Sequence, residues 1–320
     1  MSSTASALHA RSRARFVHGA ARLCAPLQVL IALCGCSSTH AAATASQNDS
    51  PPYDAGPVAV DAGPVVADAG DQCAGGVLPL FIDSTAGHPS SLHVQVTYNG
   101  APAAFLVDTG SGLTFLQEPV GGRDTVPDAG SVKIGCETRT LIGRAEVELE
   151  SSHGLPTVGS LGVDAFLRGP SEIDFVGAQL LFHAPGVPFA EAAAWPTAPF
   201  DLAKGMVLPH VTLDGKDVRL MFDTGADNVL WLGQQPMPGD VEVQSQDAEG
   251  HTLKLYRGTV DLAVGDWHGS VPVLRAPSFP YFEGTVKALG GNIDGLLGLS
   301  ALGKHVVVDG DARVLHIDLK

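Results

Sequence analysis

The chain has 320 residues, of which 45% are hydrophobic and only 17% charged, and a formal net charge of −15. That length suits one large all-β unit or two ordinary lobes. A scattered acidic balance, with no Lys/Arg cluster outside the first residues, excludes a nucleic-acid partner, because phosphate binding needs clustered cations. Gly at 38 and Pro at 22 favour many turns and short strands over long helices.

Residues 1–36 read as an export leader. Arg11, Arg13, Arg15 and Arg22 give a basic start, followed by the short apolar stretch Ala25 to Leu33. The stretch is shorter than the ~18 apolar residues of a spanning helix but suits a signal-peptide core. It ends in Leu33-Cys34-Gly35-Cys36-Ser37-Ser38, which resembles a bacterial lipobox. The resemblance implies lipidation of Cys36 and, with Ser37 rather than Asp after it, anchoring to the outer membrane or cell envelope, on the periplasmic or surface side. The membrane would then be touched by the lipid anchor only. An ordinary cleaved leader is the other reading.

Residues 37–72 are Ala, Ser, Asp, Pro and Gly, with Asp54-Ala55-Gly56, Asp61-Ala62-Gly63 and Asp68-Ala69-Gly70 at heptad spacing. No large apolar side chain repeats, so this is no coiled coil; Pro and Gly keep such a chain extended, as a disordered tether. Among five cysteines, Cys24 and Cys34 leave with the leader and Cys36 would carry lipid. Cys73 and Cys136 remain. In an oxidising compartment they suit a disulfide tying the tether to the first lobe; the alternative is two unpaired thiols.

The body is a duplication. Val94 to Gly110 aligns with Pro209 to Gly225 without a gap. In each copy an alternating strand reaches Asn99-Gly100 or Asp214-Gly215, a tight hairpin signal, and a second apolar strand runs into Asp-Thr-Gly. Apolar runs Leu113 to Leu116 and Val229 to Leu232 follow. Downstream, Ser160 to Leu167 matches Leu296 to Leu302, each with an apolar-apolar-Gly segment at Gly162 or Gly298, then a short helix and a strand pair. The Pro- and Ala-rich Ala184 to Phe200 reads as the lobe connection, which gives a first lobe over 73–200 and a second over 201–320.

This pattern, over about Val77 to Leu319, resembles the aspartic peptidases of the pepsin and retropepsin type. Asp108-Thr109-Gly110-Ser111 looks pepsin-like and Asp223-Thr224-Gly225-Ala226 retropepsin-like. The resemblance implies an all-β, bilobal acid-protease fold, two related barrel-like lobes with the catalytic loops at their interface. It implies an endopeptidase acting on polypeptide as a monomer, with Asp108 and Asp223 as the catalytic pair and no cofactor. Two carboxyls sharing one proton can activate a water and polarise a carbonyl together, since like charges this close do not both ionise.

The resemblance also implies that Thr109 and Thr224 hydrogen-bond across the lobes, and that Ser111 holds the outer oxygen of Asp108, which Ala226 cannot do for Asp223. Gly110 and Gly225 give N–H donors and close approach. Gly162 and Gly298 lie beneath the loops. A flap hairpin is expected over Val241 to Tyr256, with Asp247-Ala248-Glu249-Gly250 at its tip, whereas Leu116 to Ser131 leaves the first lobe little or no flap. That gap keeps a second class open: a catalytically weak or inactive binding or assembly lipoprotein of the cell envelope that retains the fold. The twelve His show no metal-ligand spacing, and Gly298 to Gly303 has one residue too many for Gly-x-Ser-x-Gly. Neither a metal site nor a serine hydrolase is indicated. Trp195, Trp231 and Trp267 are read as packing residues.

Overall fold

The computed structural model describes residues 76–85, 87–118, 125–134, 137–145, 151–184, 186, 191–246, 252–291 and 293–319. The leader with Cys36, the tether, Cys73, Cys136 and the hairpin tip Asp247, Ala248, Glu249 and Gly250 lie outside the described residues.

The first half holds β1 (Gly76–Thr85), β2 (His88–Tyr98), β3 (Ala101–Val107), β4 (Phe115–Glu118), β5 (Thr125–Ile134), β6 (Glu137–Ala145), β7 (Thr157–Leu161), β8 (Ser171–Asp174) and β9 (Gln179–Phe182). The second holds β10 (Thr197–Ala203), β11 (Met206–Leu213), β12 (Lys216–Phe222), β13 (Val229–Leu232), β14 (Val241–Gln246), β15 (Thr252–Val264), β16 (Trp267–Ala276), α1 (Pro280–Ala288), β17 (Gly295–Leu297), β18 (His305–Asp309) and β19 (Val314–Asp318).

The hairpin turns form where the Asx-Gly pairs stand. Asn99 and Gly100 have φ of 51° and 78°, and Asp214 and Gly215 have 47° and 75°. Two consecutive positive φ values match the right-handed twist of the flanking strands, and Asn, Asp and Gly tolerate them best.

Each half closes into a six-stranded ring. In the first, β2 pairs antiparallel with β3, β3 parallel with β7, β7 antiparallel with β4, β4 parallel with β6, and β6 returns through β5 to β2. In the second the ring is β11, β12, β17, β13, β16, β15, with the same parallel and antiparallel sequence. Closure pairs every strand of each ring on both sides, and alternate side chains fill the interior, as with Leu92, Val94 and Val96 on β2.

The halves are joined by a six-stranded antiparallel sheet in the order β1-β9-β8-β18-β19-β10. The order reads the same from either end once β1 is matched with β10, β9 with β19 and β8 with β18. Its seam pairs Ser171 to Asp174 with Val308 to His305. The 200/201 lobe boundary falls inside β10, whose Thr197 to Pro199 pair with β19 while Phe200 to Ala203 pair with β11. One apolar cluster runs through both barrels and the joining sheet. A second cluster belongs to the latter half and includes Met206, Met221, Ala226, Leu253, Leu255, Phe279 and Phe282.

Helix is confined to short pieces. The expected helices after Gly162 and Gly298 are single 3₁₀ turns, Val163–Ala165 and Leu299–Ala301. The sequence reading did not include α1. Pro280 opens it, where a missing N–H costs nothing, and the Gly290 and Gly291 N–H groups close it on the carbonyls of Lys287 and Val286. Trp231 is a core residue, Trp267 is partly buried against the core, and the Trp195 ring stacks on His305 at 5.4 Å.

Candidate active site

Both Asp-Thr-Gly turns are built in the same way. β3 and β12 enter the lobe interface as buried apolar strands and stop at Asp108 and Asp223. The Asp108 N–H donates to Leu161 O at 3.0 Å and the Asp223 N–H to Leu297 O at 3.1 Å. Each turn closes on itself, Ser111 N to Asp108 O at 3.0 Å and Ala226 N to Asp223 O at 3.2 Å. Val163 N and Leu299 N then donate to Ser111 O and Ala226 O at 2.8 and 2.9 Å. Gly162 and Gly298 sit directly beneath: a Cβ on Gly162 would strike the Leu113 backbone and one on Gly298 the Asn228 backbone.

The two threonines lock the turns together. Thr109 N donates to Thr224 Oγ1 at 3.1 Å and Thr224 N to Thr109 Oγ1 at 3.0 Å. Their hydroxyls donate onward, Thr109 to Phe222 O at 3.0 Å and Thr224 to Val107 O at 2.8 Å. Each hydroxyl therefore gives one bond and takes one across the interface, and both residues are fully buried.

This lattice presses the two carboxyls together. Asp108 is 1% exposed and Asp223 0%. A Cβ on Gly110 would lie 2.5 Å from Asp223 Oδ1, and one on Gly225 2.7 Å from Asp108 Oδ1, so each glycine makes room for the opposite carboxyl. Burial, then the charge of Asp108, push the Asp223 carboxyl well above the ordinary carboxylate range, and hydrogen bonding with Asp108 adds to the rise. The Gly225 N–H, donating to Asp223 Oδ1 at 2.9 Å, opposes it.

The Ser111 hydroxyl donates to Leu113 O at 2.9 Å, within its own turn. A hydroxyl has one proton to give, and here the carbonyl two residues on takes it. Ala226 has no side-chain group that could do the same in the second turn.

Two supporting residues were missed by the sequence reading. Thr114 donates through both its N–H and its hydroxyl to Asp164 Oδ1, each at 2.7 Å, and its Oγ1 accepts from Gly162 N at 3.1 Å. The signal lay in the duplication. β4 and β13 pair with β7 and β17 in equivalent registers, Phe115 with Ser160 and Leu230 with Leu296. This places Thr114 opposite Val229 and Asp164 opposite Ser300, a polar pair in one copy only.

The hairpin expected in the second half is formed by β14 and β15, in register from Val241–Arg257 to Gln246–Thr252. Its Leu253, Leu255 and Val243 share an apolar cluster with Ala226 of the second turn. Among the described residues the first half has no counterpart of β14. No group of metal-ligating side chains occurs among the described residues.

Residues 210–301, which hold Asp223, the β14–β15 hairpin and Gly298, match the family described as "Aspartyl protease". No curated protein matches the chain. Among solved structures, an aspartic proteinase from Irpex lacteus is 13% identical, covering 77% of this chain and 98% of its own, with a TM-score of 0.44. Basic 7S globulin from soybean is 11% identical over 77% and 95%, TM-score 0.45. Conglutin gamma from lupine seeds is 9% identical over 78% and 96%, TM-score 0.45. The likeness to pepsin- and retropepsin-type aspartic peptidases read from the sequence stands, and so does the all-β fold of paired barrels.

Proposed function

We propose that the chain is an aspartic-type endopeptidase that hydrolyses peptide bonds through a water held between Asp108 and Asp223. The observation that carries this reading is the buried pair of carboxyls, one from each half, held face to face by the crossed threonine bonds. The pair titrates as a unit. The pressure on Asp223 keeps one proton on the pair over a range where an isolated carboxyl has lost it.

The chemistry follows from that single proton. The ionised Asp108 takes a proton from the water as the water oxygen bonds to the scissile carbonyl carbon. The protonated Asp223 gives its proton to the carbonyl oxygen. The neutral tetrahedral species then collapses: the C–N bond breaks, the proton gained by Asp108 passes to the leaving nitrogen, and Asp223 recovers its own from the hydroxyl. No strong oxyanion builds up, so the site needs no separate cationic group.

The purified full chain should cleave an unstructured polypeptide on the acid side of neutral, and Asp108→Asn and Asp223→Asn should each lower cleavage by roughly 10²–10⁴-fold. Equal cleavage by all three proteins contradicts the reading. A second reading, a catalytically weak or inactive binding or assembly module of the cell envelope, is favoured by the hairpin occurring in one half only among the described residues; it requires polypeptide binding with little or no cleavage in wild type and both variants. The basic start, short apolar stretch and Cys36 support export with a lipid anchor.

A further inference from the structure

The second half buries a cation that neither the dyad nor the barrel core requires. Arg275, on β16, is 3% exposed. Its Nη1 donates to both oxygens of Asp240, at 2.9 and 3.0 Å, and its Nη2 to Thr259 O at 2.8 Å. Asp214 Oδ2 lies 3.6 Å from Nη2, at the turn between β11 and β12. The Asp240 side chain is itself only 5% exposed.

The position of this pair in the chain gives it meaning. Asp240 immediately precedes Val241, the first residue of β14, and closes the turn before it: Met237 N donates to Asp240 Oδ2 at 2.8 Å and Asp240 N to Met237 O at 3.0 Å. On the other strand, Gly258 immediately follows Arg257, the partner of Val241. A Cβ on Gly258 would strike Asp240 Oδ1, and would lie 2.7 Å from Arg275 Nη1. Both strands of the hairpin thus meet the same guanidinium at their root, one by a carboxylate and one by the gap a glycine leaves.

The duplication supplies the control. Arg275 pairs across β13 with Trp231, and the equivalent pairing of β6 with β4 sets Gly143 against Leu116. The second half, with the hairpin, has a buried Arg at this register; the first half, which shows no such hairpin among the described residues, has Gly.

We propose that Arg275 is a positioning residue that clamps the root of the β14–β15 hairpin through Asp240 and so fixes how Leu253, Leu255 and Val243 lie against Ala226. The pair is rigid because a buried guanidinium deprived of its carboxylate is strongly unfavourable, so the hairpin root has one arrangement. The consequence for peptide binding rests on the peptidase reading; the clamp itself does not.

The test compares wild type with Asp240→Asn, and with Arg275→Lys, which keeps the charge but cannot reach Asp240 and Thr259 O together. Amide hydrogen exchange should speed up about 10-fold or more over Val241 to Gln246 and Thr252 to Arg257, with β18 and β19 unchanged. In turnover, KM for a peptide should rise about 10-fold while kcat stays within about 3-fold. Hairpin exchange within 2-fold of wild type, or a rise spread evenly over β18 and β19, overturns the clamp. If Asp240→Asn does not fold, Arg275→Lys gives the same decision. If wild type does not cleave, the peptidase reading fails and the exchange arm still decides the clamp.

Discussion

The two halves share a barrel and an Asp-Thr-Gly turn but hold the turn in different ways. In the first, a polar brace does it: Thr114 puts two hydrogen bonds on Asp164 and accepts one from Gly162. In the second, Val229 and Ser300 stand in those places; Val229 is buried in the core and Ser300 Oγ makes no hydrogen bond among the described residues. There the turn leans instead on an apolar cluster that the hairpin completes. What is symmetric is the lattice that brings the carboxyls together. What is asymmetric is the support behind each, polar on the Asp108 side and apolar on the Asp223 side.

The symmetric part should show the largest effects. Asp108→Asn and Asp223→Asn should each lower peptide cleavage by roughly 10²–10⁴-fold, the range for losing a general acid or base. A large difference between the two variants would break the equivalence of the halves. Thr109→Val and Thr224→Val should destabilise equally, since each removes an equivalent pair of bonds, one accepted and one donated across the interface, at a cost of about 1–3 kcal/mol for each buried group left unpaired. Urea unfolding of both variants measures this, and unequal losses would place the lattice in one half.

The asymmetric part predicts unequal effects. Asp164→Ala should cost about 1–3 kcal/mol because both Thr114 donors lose their shared acceptor, whereas Ser300→Ala should stay within about 0.5 kcal/mol. Equal costs in thermal or urea unfolding would remove the distinction. The smallest effect expected is pH-dependent. The raised Asp223 carboxyl stabilises the fold fully below the ordinary carboxylate range, and that contribution is lost as pH rises through the raised value. Asp223→Asn has no proton to lose, so its Tm should exceed that of wild type once the pH passes the raised value, and the gap should close in acid.

The duplication was legible because it repeats a physical unit: an Asx-Gly turn, an apolar strand and Asp-Thr-Gly twice over fix the same hairpin and the same interface loop. The β14–β15 hairpin was legible too, since Val241, Val243, Leu253 and Leu255 alternate. The Ser111 bond to Leu113 O was not legible, because residue type states what a group can donate and not which acceptor it reaches. Thr114 and Asp164 lie 50 residues apart and meet only when β4 pairs with β7. Arg275 and Asp240 are 35 residues apart, and only the parallel pairing of β13 and β16 with the Gly258 gap joins them. The joining sheet, with β8 against β18, combines the two copies in a way neither copy alone states.

The central claim is that Asp108 and Asp223 form one proton-sharing unit. Carbon-13 NMR titration of the aspartate carboxyls tests it directly, in wild type and in Asp108→Asn. Asp223 should titrate well above the ordinary carboxylate range in wild type. In Asp108→Asn it should move down yet stay above that range, because burial is the larger cause and the neighbouring charge the second. An Asp223 that titrates like an isolated carboxyl, or that does not respond to Asp108→Asn, would contradict the account.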